Sequence, residues 1–375
     1  MIMTMCIVIT LIIAYACIYL AASLYIAIGE RRFRFDRSPH AMPMVSVVLC
    51  ARNEERNLPR CLDSLAALDY PRELIEIIIV DDESTDRTNE ICARYTAADS
   101  RFRLISTAGT PRTLIGKQRP LNLGIESSNG EIIFGIDADV AVRPHWILAH
   151  VAAFDDKEVG IAGGTTRIDP SYKGLFAALQ ACDLTAKISI ALGCAGHGFP
   201  LTIMGNNISF RRSSYDMFGG FTVMKPRIVE DLALMNAVTR KAGQKLGWAS
   251  GPSGVADSTP EDKFSVFIEQ RRRWLNEAGD MSCIGKFMIG LEFLMIVSLI
   301  SSIIIAHWDP CPLIVNAVVW LAGNVMVIAA NPGSTVRDIF MIPLFFFFQL
   351  FYATVIAFRN LFGSGKIVWK GREYF

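Results

Sequence analysis

Asp137 and Asp139, separated only by Ala138, close the apolar run Glu131-Ile-Ile-Phe-Gly-Ile-Asp-Ala-Asp-Val140. Successive side chains on an extended strand point to opposite faces, so two such acids converge only where the strand ends and the chain turns. Hard oxygens paired at that place suit Mg2+ or Mn2+ carrying a phosphorylated substrate. A second run, Ile75-Glu-Ile-Ile-Ile-Val80, discharges in the same way into Asp81 and Asp82. Two acidic strand ends in one sheet repel each other unless a cation or a hydrogen-bonding ligand lies between them. Lys117 and Arg119 are placed to supply counter-charge to a metal-bound diphosphate, and Asn122 an amide to a base or ribose. Glu230 and Asp231 stand where a helix begins. One acid there complements the helix dipole, and a carboxylate aimed into a cleft takes a proton from a hydroxyl. Gln270, Arg273 and Trp274 recur at helical spacing, so an amide, a guanidinium and an indole share one face.

The elements that must carry these groups read as an alternation. Between Met44 and Ser282, short β-branched runs alternate with amphipathic stretches, the pattern of a parallel sheet with crossover helices. Strands are predicted at Val45–Cys50, Ile75–Val80, Phe102–Ser106 and Ile132–Ile136, with a further one over 159–164. Ser84 or Thr85 is expected to cap the helix running through Ile91 and Tyr95. Pro144 to Ile147 opens another helix, and Gly205-Asn-Asn207 is a polar turn entering a strand. Ligands of such sheets bind at the carboxyl ends of the strands, which is where the acids lie.

With 375 residues and 52% apolar composition, and a mean hydropathy of +0.35, the chain is too apolar for an ordinary soluble domain. Residues 1–28 are almost wholly apolar and are followed by Arg31, Arg32, Arg34 and Arg37, which predicts a retained membrane helix with the following domain cytoplasmic. Further apolar segments lie at 284–306, 313–330 and 339–358. The stretch 174–204 carries Asp183, Lys187 and His197 and reads as a packed or interfacial helix, not a span. His197 is expected to be a loop residue without chemistry. Net charge is +1 and no basic run is interleaved with aromatics, which excludes a nucleic-acid partner. Nine cysteines without a C-x-x-C pair indicate reduced thiols, neither a disulfide framework nor a zinc site.

Together these pieces resemble the membrane-embedded branch of the family 2 inverting glycosyltransferases, which includes ceramide glucosyltransferases and processive polysaccharide synthases. The likeness rests on Val45-Ser-Val-Val48, Val80-Asp-Asp-Glu-Ser-Thr-Asp86, Asp137-Ala-Asp139, Glu230-Asp231 and Gln270-Arg-Arg-Arg-Trp274, in family order from Met44 to Trp274. It implies an α/β fold: a GT-A, Rossmann-like, mostly parallel sheet domain with one N-terminal and about three C-terminal membrane helices. Asp81 or Asp82 would contact the nucleotide base and ribose, and Lys117, Asp137 and Arg273 would join them around the donor. Asp139, with Asp137, would hold Mg2+ or Mn2+ on the diphosphate. Asp231 would be the general base, with Asn206, Glu230, Gln270 and Trp274 on the acceptor side. The donor would be a nucleotide sugar, a UDP-sugar foremost, and the acceptor a membrane lipid or a growing glycan.

The expected organisation is a transmembrane helix at 1–28, a cytoplasmic GT-A domain at 44–282, transmembrane or interfacial helices at 284–362 and a cytoplasmic tail at 363–375. The whole would be a multi-pass protein of the cell (inner) membrane. Three C-terminal crossings would place Lys366, Lys370 and Arg372 outside, against the positive-inside rule. The segment around Phe345–Gln349, preceded by Pro343 and flanked by Arg337 and Arg359, is therefore expected to be interfacial or re-entrant. Few spans favour transfer of one or a few sugars to a lipid. The alternatives are a processive cellulose-, hyaluronan- or poly-GlcNAc-type synthase and a non-catalytic nucleotide-binding membrane scaffold.

Overall fold

A computed structural model describes residues 2–225, 227, 229–276, 280–362, 367–369 and 372–374. The chain opens with α1 (Ile2–Glu30). It then alternates through β1 (Val45–Ala51), α2 (Leu58–Ala66), β2 (Ile75–Asp81), α3 (Thr88–Ala98), β3 (Phe102–Ser106), α4 (Gln118–Glu126) and β4 (Ile132–Asp137). Next come β5 (Val140–Ala141), α5 (Trp146–Val151), β6 (Val159–Gly163), β7 (Thr166–Ile168), α6 (Leu175–Gly196), β8 (Asn207–Arg211), α7 (Arg212–Met217) and α8 (Glu230–Asn236). These lead to β9 (Lys245–Trp248), β10 (Ala256–Ser258) and α9 (Phe264–Asn276). The C-terminal part holds α10 (Cys283–Ile305), α11 (Cys311–Ala330), α12 (Val336–Phe362) and a hairpin of β11 (Ile367–Trp369) and β12 (Arg372–Tyr374). Lys366 and Lys370 lie outside the described residues, as does the rest of the tail 363–375 apart from the two strands.

Seven strands form one sheet in the order β3-β2-β1-β4-β8-β6-β9. The first four are mutually parallel, while β8 runs antiparallel to both β4 and β6. The β-branched runs explain this sheet: Val47, Leu49, Ile77, Ile79, Phe134 and Ile136 pack under α2 and α5. The alternate residues Val48, Ile78, Val80 and Ile133 pack on the opposite face, against α4, α6 and α8. Strands buried on both faces are apolar throughout, as parallel strands must be. The chain winds outward from β1 to β3 and then resumes at β4 on the other side of β1, so the strand order reverses beside β1. Register completes the picture, with Ala51 beside Asp81 and Cys50 beside Asp137. The two acidic strand ends thus flank the end of β1, at the crevice where open α/β sheets bind ligands.

The cap of α3 differs from expectation. Ser84 Oγ accepts the Asn53 N–H and the Thr85 N–H goes to Asn53 Oδ1, so this turn is committed to the loop after β1. Asp86 Oδ1 takes the Thr88 N–H instead, at 2.9 Å.

Among the described residues five helices are long and apolar enough to cross a membrane: α1, α6, α10, α11 and α12. α6 meets that test of length and composition, yet most of it is buried within the protein and it links strands of one domain. β6 before it and β8 after it are hydrogen-bonded neighbours, so its two ends lie on the same side of any bilayer. His197, just after α6, bonds through Nε2 to the Tyr25 carbonyl and stacks on the Tyr25 ring, locking α6 to α1. α12 is continuous through Pro343, so Phe345–Gln349 is helical and not re-entrant. Both ends of α12 rest on the sheet domain. Arg337 donates to the Tyr172 carbonyl at 2.9 Å, while at the far end Asn360 Oδ1 accepts from Arg272 and Arg359 pairs with Glu269, both of α9. β11 returns beside α9.

Candidate active site

A cavity of about 790 Å³ opens at the carboxyl ends of β1 and β4. Ten of the thirteen residues singled out from the sequence line it: Asp82, Lys117, Asp137, Asp139, Asn206, Glu230, Asp231, Gln270, Arg273 and Trp274. They arrive from β4, α8 and α9 and from the turns adjoining β2, α4, β4 and β8. Asp81 is one of the three that do not line it. It is buried behind the wall, and its carboxylate accepts the Ser84 N–H at 3.2 Å, bracing a turn in which Glu83 holds a left-handed φ of 59°. Asp82 lines the cavity, accepting from the Thr107 hydroxyl at 2.8 Å and standing 3.4 Å from Arg119. Arg119 and Asn122, expected to serve a diphosphate and a base, are not among the lining residues. The Arg119 guanidinium is spent on Asp82, Glu83 and the Thr107 carbonyl, and Asn122 Oδ1 accepts from the Tyr215 hydroxyl.

The electrostatic centre is Lys117. Its buried ammonium stands 2.5 Å from Asp137 Oδ1 and 3.6 Å from Glu230 Oε1, and donates to the Gly205 carbonyl at 2.9 Å. Burial acts to lower this ammonium, but Asp137 and Glu230 outweigh it and hold it above the ordinary lysine range. On the other side of the same peptide turn, Gly205 N–H donates to Asp231 Oδ2 at 2.7 Å, while Leu232 N–H donates to Oδ1 at 2.7 Å. Burial raises the Asp231 carboxyl above the usual aspartate range, against the pull of those two amides and of Lys117. Glu230 is pushed up to about 7, again by burial first, with Lys117 opposing and the Asp231 charge adding. Two adjacent acids at the start of α8, Glu230 buried and Asp231 half-buried, thus line the cavity with raised carboxyls, which makes each a better proton acceptor than in water.

Asp139 follows β4, where β5 pairs with β10, and Ser258 Oγ lies 3.4 Å from its Oδ2. Among the described residues no three His, Cys, Asp or Glu side chains gather to enclose an ion. Asp137 and Asp139 nonetheless fit a divalent ion bound to a phosphorylated ligand: both are hard oxygen donors on the cavity wall, and such an ion takes its other ligands from phosphate and water.

α9 forms the facing wall. Gln270 Nε2 donates to Glu261 Oε1 at 2.9 Å, and Trp274 packs against the sheet's second core layer. Burial lowers the Arg273 guanidinium, partly offset by Glu261, Glu230 and Asp137, and it stays charged. Glu261 and Arg52 also line the cavity and were not singled out; their only sequence signal was an acid or base in a loop. Asn206 Oδ1 accepts from Thr166, while its neighbour Asn207 is buried and bonds Trp146, His150, Thr165 and Gly254.

The sequence pattern described as glycosyl transferase family 2 matches residues 46–225. The probable glycosyltransferase YdaM of Bacillus subtilis (strain 168) is 28% identical over 251 residues, which are 66% of this chain and 57% of that protein. The beta-monoglucosyldiacylglycerol synthase of Nostoc sp. is 28% identical over 199 residues, 52% of this chain and 41% of that one. This chain therefore spans about half the length of the curated relatives it matches. The mannosyltransferase PcManGT from Pyrobaculum calidifontis, solved in complex with GDP-Man and Mn2+, superposes with a TM-score of 0.58 at 18% identity. The match covers 95% of this chain and 99% of that one, a likeness of fold. The matched residues hold β1 from Ser46 onward, β2 to β4, the Asp137-Ala-Asp139 strand end and the turn at Gly205, and over residues 46–225 this chain carries a glycosyl transferase family 2 domain.

Proposed function

We propose that the protein is an inverting glycosyltransferase that moves a sugar from a nucleotide-sugar donor, a UDP-sugar foremost, to a hydroxyl of a membrane lipid. The carrying observation is the meeting of Asp231 with Asp137, Asp139, Arg273 and Trp274 on one cavity, although they are scattered across the sequence. Asp82 offers a carboxylate to an imide N–H of the base. Arg273 shares the charge that builds on the departing diphosphate. Mg2+ or Mn2+ held by Asp139 and Asp137 would supply Lewis-acid neutralisation of the same charge. Asp231, oriented by the Gly205 and Leu232 amides, takes the proton of the acceptor hydroxyl. The hydroxyl oxygen bonds to the anomeric carbon as the bond to the diphosphate oxygen breaks on the opposite face, which inverts that carbon.

A lipid acceptor is supported by the long apolar helices and by the likeness to a beta-monoglucosyldiacylglycerol synthase. In this reading α1, α10 and α11 cross the cell (inner) membrane, α6 and α12 lie along the cytoplasmic sheet domain, and the tail stays inside. The limits 1–28, 44–282, 284–362 and 363–375 then divide anchor, catalytic domain, apolar helices and tail. Membranes from cells making the full-length protein are expected to gain a glycosylated lipid by mass spectrometry, and Asp139→Ala and Asp231→Asn to abolish that gain. Full activity in both variants, or a long polymer as product, overturns the reading.

A further inference from the structure

Asp183 is a carboxylate with no exposed surface, on the middle of an apolar helix and unused by the proposed chemistry. Four donors converge on it. Arg271 Nε and Nη2 reach Oδ2 at 2.7 and 2.6 Å, the Tyr352 hydroxyl reaches Oδ1 at 2.6 Å, and Lys187 on the next turn of α6 completes the set. The guanidinium that Asp183 holds by its edge has its Cζ over the Trp274 ring, 4.2 Å from the centroid, and over the Phe267 ring at 4.4 Å. A planar guanidinium has one geometry that satisfies a carboxylate along its edge and a ring on its face, so fixing the edge fixes the ring. One turn earlier on α6, Gln180 bonds both the N–H and the carbonyl of Glu261, whose side chain holds Gln270. α6 therefore sets both polar ends of the wall that α9 presents to the cavity. A buried ion pair adds little stability over a packed apolar pair of similar volume.

We propose that Asp183 is a positioning residue: through Arg271 it sets the Trp274 ring at the acceptor side of the cavity, and through Tyr352 it ties that ring to α12. This rests on the transferase reading for its catalytic consequence, while the placement of the ring is independent of it. Seating of the apolar helices in a bilayer is thereby transmitted to the wall that meets the acceptor.

The test uses full-length protein in lipid–detergent micelles, with Asp183→Asn and, because that variant risks misfolding, Tyr352→Phe, which removes a single hydroxyl. Acrylamide quenching of the Trp274 emission, taken as the difference from Trp274→Phe in each background, is expected to rise in both variants. The apparent KM for a total lipid extract is expected to rise about tenfold or more, while the Kd for Mn2+ with UDP or GDP, whichever the parent protein binds, moves less than about twofold. Unchanged quenching in both variants overturns the assignment, as does a loss of nucleotide affinity in step with the rise in KM. A parent protein that moves no sugar to lipid defeats the transferase reading instead, and the quenching comparison then decides the Asp183 assignment alone.

Discussion

Asp231 sits in a setting that both activates and exposes it to pH. Burial raises its carboxyl, and Glu230 beside it is held at about 7, so protons are retained at pH values where an ordinary aspartate is already ionised. In the proposed role of general base Asp231 works only when deprotonated. Transfer is therefore expected to fall on the acid side at higher pH than a surface aspartate would allow, and kcat/KM measured from pH 5 to 9 checks this. Asp231→Asn is expected to lower kcat by roughly 10²- to 10⁴-fold with donor affinity retained, which isothermal titration with a nucleotide reads separately. Much of this site was legible because its groups sit in short motifs at strand and helix ends. What periodicity could not separate was Asp81 from Asp82: both are buried, but the first accepts the Ser84 N–H in the turn at Glu83 and only the second lines the cavity. Arg119, Asn122 and Glu261 were illegible for a related reason. Their partners Thr107, Tyr215 and Gln270 are distant or irregularly spaced in the chain, and only tertiary packing decides which charges are spent internally.

At the scale of elements, the apolar runs of β1, β2 and β4 predict strands because both faces of the sheet are covered, and the structure places strands there. The layer beneath the site was not anticipated. His150 on α5 is fully buried, bonded to Ser209 and Asn207 of β8, with Phe134 and Trp146 at its edge. Burial lowers it from 6.5 to about 4, with the Asn207 bond opposing. The folded protein therefore favours the neutral ring. Its contribution is complete above the unfolded value of 6.5 and is lost as pH falls towards 4, because the unfolded chain binds the proton more readily. The loss amounts to about 3 kcal/mol over that window. Thermal melts in detergent are expected to show a steeper decline between pH 6.5 and 4 for the parent protein than for His150→Gln, which has no titrating ring. Equal slopes would rule out His150 as the source.

For the whole molecule, the ends of each helix bear on the problem raised by the basic tail. An apolar run of suitable length predicts a span, but only the fold tells whether both ends return to one domain. β6 and β8 pin the ends of α6 to one sheet, and Tyr172, Glu269 and Arg272 pin those of α12. In the proposed reading α1, α10 and α11 cross, an odd number between the N-terminus and α12, and the tail would then share a side with the cavity as the positive-inside rule asks. Native cysteines report on this. Cys283 begins α10 and Cys311 begins α11, both are exposed free thiols, and one crossing separates them. In intact cells making variants that retain a single cysteine, a membrane-impermeant maleimide is expected to label Cys311 and to spare Cys283 until the cells are opened. A tag after residue 375 is expected to behave like Cys283. Labelling of that tag from outside would mean that α12 crosses after all, and its bonds to α9 would then have to break in the membrane.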